Sequence, residues 1–168
     1  MGLKDYLLGR RVALVSMLPP DELARRINEA TPSIFDMSTS GVGGWCRFGF
    51  LRLDWRMPFY TNGFAPILSA KVRANLGRTS IQGRFGASRY LQVFLAAWYG
   101  ILTLALLSLP RAIMSSDLES GAHYLVFLIV PLLWFAPILF HLIFNRKADR
   151  NFEAILEFLA QEVSARPE

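Results

Sequence analysis

Two long stretches without a charged side chain constrain this chain more than any other feature. Residues 90–109 form an uncharged run of 20, and residues 124–144 form a second run of 21 that lacks Asp, Glu, Lys and Arg. A helix of about 20 apolar residues crosses the hydrocarbon core of a bilayer, which is about 30 Å thick. The two runs, joined by residues 110–123, therefore predict a transmembrane helical hairpin. A buried helix pair of a soluble protein is disfavoured, because a chain of 168 residues has too small a core to hold both runs.

Positive charge is concentrated on one side of this predicted hairpin. The connecting loop contains one basic residue, Arg111, together with Asp117 and Glu119. Basic residues flank the outer ends of the two runs: Lys71, Arg73, Arg78, Arg84, Arg89, Arg146, Lys147 and Arg150. Because positively charged flanks stay in the cytoplasm, we expect both termini on the cytoplasmic side of a bacterial inner membrane and the loop outside.

Residues 1–89 have the patterning of a small folded domain, with 13 basic and 6 acidic side chains. An apolar run over residues 12–18 predicts a strand, and residues 19–30 predict a helix with prolines and acidic residues in its first turn. Alternation of apolar and polar residues predicts strands over 51–56, 68–75 and 79–85, with Gly49 as a bulge. We expect an α+β domain in which one helix covers one face of a small antiparallel sheet and the other face is polar and basic.

An amphipathic helix is predicted after the second run. Its apolar stripe comprises Phe152, Ile155, Leu156, Leu159 and Val163. The predicted organisation is thus a cytoplasmic α+β domain over 1–89, a transmembrane hairpin over 90–144 and a cytoplasmic C-terminal helix over 145–168. Since no linker separates the last strand from the first span, we expect the sheet domain to lie close to the membrane.

Basic residues of the predicted strands indicate an anionic partner. Arg52, Lys71, Arg73 and Arg84 fall at the polar positions of these strands, and Arg89 directly precedes the first run. Basic residues next to a membrane gain about 1 kcal/mol each from anionic lipid. The positive flank of a membrane protein explains about half of the basic residues without any ligand, but not the four on the sheet. Within the two runs, Trp98 and Trp134 are candidate contacts to other membrane-protein subunits.

Other motifs are incomplete. Residues 47–53 resemble the aromatic strand of an RNA-recognition motif, but the glycine after the leading basic residue is missing, so no nucleic-acid partner is expected. Residues 41–44 lack the Lys-Ser/Thr of a phosphate-binding loop and predict a flexible connection. Cys46 has no activating neighbour and is expected to be buried and inert. His123 and His141 are separated by about 27 Å of helix and cannot share a metal ion. We therefore expect no catalytic residue, cofactor or metal site.

Tyr60–Pro66 has the pattern aromatic-x-Asn-x-Phe-x-Pro and precedes a predicted two-stranded segment and a span. In this arrangement residues 45–110 resemble a group of uncharacterised small bacterial membrane proteins. The resemblance implies strands followed by a helical hairpin, and since no activity is attached to that group, it implies no functional residue. In this segment Asn62 and Gly63 suit a turn that needs a positive φ.

Together these features predict a non-catalytic integral membrane protein that acts by binding. One hypothesis is an accessory or assembly subunit of a larger bacterial inner-membrane complex, with other membrane-protein subunits as its partners. The alternative is a membrane-anchored sensor or binder of anionic lipids, which would use the basic sheet face.

Overall fold

An antiparallel sheet organises the larger part of the chain. The computed structural model describes residues 1–32, 38, 40–59, 63–75, 77–115, 129, 132–139 and 147–168. The sheet has the spatial order β2-β3-β4-β5-β1-β6, and every neighbouring pair is antiparallel. Its strands are β1 (Arg10–Ser16), β2 (Gly41–Arg47), β3 (Phe50–Arg56), β4 (Ile67–Asn75), β5 (Arg78–Gly86) and β6 (Arg166–Pro167). The predicted α+β class with an antiparallel sheet is confirmed.

Two helices cover one face of this sheet: the predicted helix after β1 and the amphipathic C-terminal helix. Four helices have bounds within the described residues: α1 (Leu3–Leu8), α2 (Pro20–Ala30), α3 (Arg89–Ser115) and α4 (Ala148–Val163); residues 132–139 form a further helical segment. α2 packs against β2 and β4, and α4 packs against β2, β3 and α2. Four members of the predicted α4 stripe are at most 6% exposed: Phe152, Ile155, Leu159 and Val163. They meet the apolar side chains of the covered face, which include Leu14, Leu51, Leu53, Leu68, Ile81 and Phe85.

The segment from Gly41 to Arg56 is a β-hairpin, which corrects two sequence predictions. Residues 41–44 were predicted to be a flexible connection, but they are the first half of β2. Gly49 was predicted to be a bulge, but Phe48 and Gly49 form the two-residue turn between paired Arg47 and Phe50. Both turn residues have positive φ, 52° and 71°, as the favoured hairpin turn of this length requires. Residues 47–53 are therefore divided between two strands.

The turn between β4 and β5 is placed as predicted. Asn75 pairs with Arg78, and Gly77 has a φ of 78°, which glycine adopts without strain. The connection from β3 to β4 contains residues 60–62 of the Tyr60–Pro66 motif, which lie outside the described residues. Gly63 does not have the positive φ that the sequence predicted. The carbonyl of Phe64 accepts a 2.6 Å hydrogen bond from the Tyr6 hydroxyl, which attaches this connection to α1.

The chain divides into two compact units, Met1–Ser88 with Phe144–Glu168, and Arg89–Ile143. The C-terminal helix thus belongs to the unit that contains the sheet. A backbone hydrogen bond from Ala165 to the carbonyl of Leu159 ends α4, and β6 then pairs with β1. The Ser16 hydroxyl donates to the carbonyl of Val163 at 2.6 Å and ties the end of α4 to the sheet.

The second unit contains α3 and a helical segment over residues 132–139. Among the described residues one helix is long and apolar enough to cross a membrane, over Arg89–Ser108, with a mean hydropathy of 1.8. α3 continues to Ser115, so the first six residues of the predicted connection over 110–123 are helical. Pro110 removes one backbone donor and one hydrogen bond, and the helix continues past it. The second predicted span, 124–144, lies largely outside the described residues.

Candidate anion-binding face of the sheet

The face of the sheet opposite α2 and α4, here called the open face, contains the four strand cations predicted from the sequence. Register across the sheet places Arg52 opposite Ser69, Ser69 opposite Arg84, and Arg84 opposite Arg11. Lys71 and Arg73 follow Ser69 at alternate positions of β4, so they point to the same side. All of these basic residues are exposed. α1 lies over the corner of this face at Gly86, where a Cβ atom on residue 86 would come within 2.6 Å of the carbonyl oxygen of Tyr6.

The remaining three predicted site residues belong to the other unit. Arg89 is the first residue of α3. Trp98 and Trp134 both lie where α3 meets the 132–139 segment. The Trp98 indole nitrogen donates to the carbonyl of Leu133 at 3.4 Å, and the Trp134 ring stands edge-on to Tyr99 with ring centroids 4.9 Å apart. These two tryptophans therefore contribute to packing within their unit.

The cations of the open face outnumber its acidic residues, and Asp54, two residues from Arg52 on the same face of β3, pairs with Arg56 at 3.7 Å. Within the described part of the chain, Arg52, Lys71, Arg73 and Arg84 form no salt bridge. Arg84 lies directly opposite Arg11, and like charges in this position are destabilising by a few tenths of a kcal/mol to about 1 kcal/mol. This face therefore carries a net positive charge that the fold itself does not require.

The basic residues of α2 provide the contrast. Arg25 pairs with Glu22 at 2.7 Å and with Glu29 at 3.0 Å, and Arg26 pairs with Glu22 at 2.9 Å. Hydrogen bonds from Arg25 and then Arg26 lower the pKa of Glu22 to about 2. On this helix each arginine has an acidic partner, as is typical of a solvated surface helix.

Aromatic side chains accompany the cations at one end of the open face. Phe50, opposite Lys71, is 51% exposed, and the Lys71 ammonium lies 6.0 Å from its ring centroid. Phe48, at the tip of the β2–β3 hairpin, is 95% exposed. The backbone N–H of Val72 donates to the Gly49 carbonyl at 2.8 Å and holds this tip against β4. Exposed aromatic rings beside cations are typical of protein surfaces that meet the headgroup region of a bilayer.

Ser80 is a feature of the open face that sequence reasoning missed. It lies opposite Arg73 on β4 and Val15 on β1, yet it is only 7% exposed. Among the described residues its hydroxyl is the one buried side-chain polar atom without a hydrogen-bond partner. Such a group costs about 1–3 kcal/mol relative to a satisfied one. The alternation of β5 placed Ser80 on the polar face, but nothing in the sequence indicated that it is buried there.

Two concave regions meet at Ser80. The smaller, of about 170 Å³, is lined by Lys71, Arg73, Ser80 and Gln82. The wider one, of about 850 Å³, lies towards the end of the sheet and includes the side chains of Arg78 and Arg166. The Gln82 amide nitrogen lies 3.4 Å from a Glu168 carboxylate oxygen, so an acidic group also borders this part of the face.

Burial shifts the pKa of two other side chains in this unit, Cys46 and Asp54. Cys46 is 2% exposed, and burial raises the pKa of its thiol to about 11, as expected for an inert thiol. Burial also raises the pKa of Asp54, against the opposing effect of Arg56 and Arg52. Over the described ranges no group of three or more His, Cys, Asp or Glu side chains is placed to hold a metal ion.

Comparison with protein-family models, with curated proteins and with solved structures gives no match. The resemblance of residues 45–110 to small bacterial membrane proteins stays a prediction. The open face is therefore interpreted from its own geometry and charge.

Proposed function

We propose that the protein is a membrane-anchored binding protein that uses the open face of its sheet to bind the headgroups of anionic lipids. The observation that carries this proposal is that Arg52, Lys71, Arg73 and Arg84 share one exposed face and have no salt-bridge partner among the described residues. A surface with more cations than carboxylates has the charge complementary to anionic headgroups.

The connection between the two units supports a membrane-proximal position for the sheet. Only Ala87 and Ser88 separate β5 from α3, and two residues span at most about 7 Å. If α3 enters a bilayer over its apolar part, the end of β5 cannot leave the headgroup region. We place the protein in a bacterial inner membrane with both termini in the cytoplasm, where the anionic leaflet attracts basic segments.

The test compares two sets of charge-removing variants of the full-length protein in a neutral detergent. One set is Lys71→Gln, Arg73→Gln and Arg84→Gln together, and the control is Arg25→Gln with Arg26→Gln on α2. Calorimetric titration with short-chain phosphatidylglycerol and phosphatidylcholine measures the affinity for each lipid. At about 1 kcal/mol per basic residue, the triple variant loses about a hundredfold in phosphatidylglycerol affinity at low salt.

The control pair is expected to bind phosphatidylglycerol like the wild type, because its arginines are already paired with Glu22 and Glu29. Wild-type binding should also weaken as the salt concentration rises. Equal affinity for the anionic and the zwitterionic lipid, or an equal loss in both sets of variants, would contradict the proposal.

A second candidate function, a subunit of a larger inner-membrane complex, is favoured by one observation on α3. Ala96, Ala97 and Gly100 are exposed, and Ala96 and Gly100 have the four-residue spacing at which membrane helices approach closely. Native mass spectrometry after gentle extraction from the membrane discriminates the two candidates. A heavy complex of fixed stoichiometry that is lost on Gly100→Leu supports a subunit, whereas a monomer carrying only anionic lipid supports the first candidate.

A further inference from the structure

The unpartnered hydroxyl of Ser80 distinguishes it from the other buried hydroxyl groups of the sheet unit. The hydroxyls of Ser16, Thr31 and Thr79 donate to the backbone carbonyls of Val163, Ile27 and Leu18, respectively. Ser80 is buried to a similar extent and has no such partner in the described part of the chain. Since buried polar groups in folded proteins are normally satisfied, this hydroxyl is available to a partner from outside the chain.

The strand register groups Ser80 with three other polar side chains. Arg73 lies opposite Ser80, and Lys71 lies opposite Gln82, on the adjacent strands β4 and β5. Directly opposed side chains are about 4.5–5.5 Å apart at Cβ, and diagonal ones about 7–8 Å. The four side chains line the concave region of about 170 Å³. At about 30 Å³ per water molecule, this region holds a group the size of phosphate.

We infer that Lys71, Arg73, Ser80 and Gln82 form a phosphate-binding subsite of the open face. This inference rests on the proposed anion-binding function and specifies the part of the ligand that is recognised. Lys71 and Arg73 supply the charge, while the Ser80 hydroxyl and the Gln82 amide supply directed donors. The oxygens of a phosphate group are arranged tetrahedrally and accept from donors on several sides of the group, whereas the two oxygens of a carboxylate lie in one plane.

Two details of the surroundings bear on the ligand. The wider concave region beside Ser80 provides about 850 Å³ for the group that carries the phosphate, with Arg78 and Arg166 at its edge. The Glu168 carboxylate next to Gln82 opposes an anion and competes for the amide. The shared chemistry is thus a phosphate group, carried either by a lipid headgroup or by a soluble molecule.

The experiment uses the full-length protein in neutral detergent and titrates it separately with inorganic phosphate and with short-chain phosphatidylglycerol. Ser80→Ala removes the unpartnered hydroxyl. Ser69→Ala is the matched control, because Ser69 lies on the same face between Arg52 and Arg84 but is exposed to solvent. We expect Ser80→Ala to weaken binding of the recognised probe by about tenfold, and Ser69→Ala to leave it unchanged.

Two further readouts distinguish a ligand-binding hydroxyl from a structural one. Ser80→Ala should leave the melting temperature unchanged or raise it, because it removes an unsatisfied group without breaking a hydrogen bond. Glu168→Gln should increase affinity by about threefold, as the loss of one nearby exposed charge predicts. A melting temperature that falls for Ser80→Ala but not for Ser69→Ala would assign Ser80 a structural role and overturn the inference.

The two probes identify the source of the phosphate. Binding of inorganic phosphate that depends on Ser80 indicates a soluble phosphorylated ligand, and Ser80-dependent binding of the lipid alone indicates a headgroup. If the wild type binds phosphatidylglycerol in a salt-dependent manner but Ser80→Ala binds it equally well, the subsite is refuted while the proposed function stands. If the wild type binds neither probe, both are refuted.

Discussion

Asn28 of α2 provides the sharpest test of how the edge of the sheet is held. Its side-chain amide donates to the backbone carbonyl of Cys46 at 2.8 Å, and its side-chain oxygen accepts from the Cys46 N–H at 2.9 Å. Both backbone groups belong to β2, the edge strand next to β3. Asn28 thus satisfies two main-chain groups that would otherwise face outward from the sheet.

Replacing Asn28 with Ala removes both hydrogen bonds. Each neutral hydrogen bond contributes about 0.5–1.5 kcal/mol, so we expect the free energy for local opening of β2 to fall by about 1–3 kcal/mol. This corresponds to an increase of about fivefold to 150-fold in the population of the opened edge. The exposed edge should also increase self-association, since unpaired strand edges are templates for pairing with another chain.

Cys46 reports this opening directly, because it is the sole cysteine of the chain and lies at the position that Asn28 holds. Because burial raises the pKa of this thiol to about 11, the reactive thiolate is much rarer at pH 8 in the native protein than in an opened state that exposes Cys46. Alkylation by iodoacetamide therefore proceeds mainly through the opened state. The alkylation rate of Cys46 should rise in Asn28→Ala by the same factor as the population of the opened edge, about fivefold to 150-fold.

Glu29→Ala is the matched control, because it alters the neighbouring exposed position of α2 and breaks a pair with Arg25 without touching β2. Its alkylation rate should equal that of the wild type. If Asn28→Ala is alkylated no faster than Glu29→Ala, the two hydrogen bonds do not hold the edge and the reasoning is refuted.

Two further predictions concern the glycine-rich strand and α2. Gly44→Ala should lower the free energy of unfolding by more than about 2 kcal/mol in denaturant titrations, because φ of Gly44 is 146° and a Cβ atom would overlap the backbone of β3. The control is Gly63→Ala, which should be tolerated because the space around Gly63 is open. Lowering the pH from 5 to 2 should reduce the melting temperature in part through Glu22. Its pKa is lowered from 4.5 to about 2 on folding, so the stabilisation is present above pH 4.5 and is lost as the pH falls towards 2. Glu22→Gln should lack this component, and an unchanged pH profile in that variant would contradict the assignment.

Patterns with a strong period were sufficient to predict much of the sheet unit. The alternation in β4 and β5 gave their faces correctly, because the apolar residues Leu68, Ala70, Val72, Ile81 and Phe85 are buried and the charged ones are exposed. The stripe of α4 was equally clear, since its apolar residues recur at helical spacing and are buried. For the same reason Arg52, Lys71, Arg73 and Arg84 could be assigned to one face before the structure was considered.

The failures have physical causes that a local pattern does not contain. The first half of β2 was interpreted as a connection because Gly41, Gly43 and Gly44 disfavour a strand, yet glycine is required at Gly44. A Cβ atom there would overlap the backbone carbonyl of Arg52, whereas one at Gly43 would meet only the end of the flexible Arg56 side chain. The burial of Ser80 depends on neighbours contributed by other strands, so alternation alone predicts an exposed hydroxyl there.

The two faces of the sheet differ in how well their polar groups are satisfied. The covered face stabilises the fold, and the open face contains charges and a hydroxyl that destabilise it. On the covered face, α2 and α4 bury the apolar core, and the Ser16 and Thr79 hydroxyls are hydrogen-bonded. On the open face, like charges stand opposite each other at Arg11 and Arg84, and Ser80 is left without a partner among the described residues. Each of these features lowers the stability of the free protein, so the contacts of the covered face must compensate for them. An anionic ligand on this face would offset the repulsion between the arginines and supply a partner for Ser80, which is the outcome that the proposed function predicts.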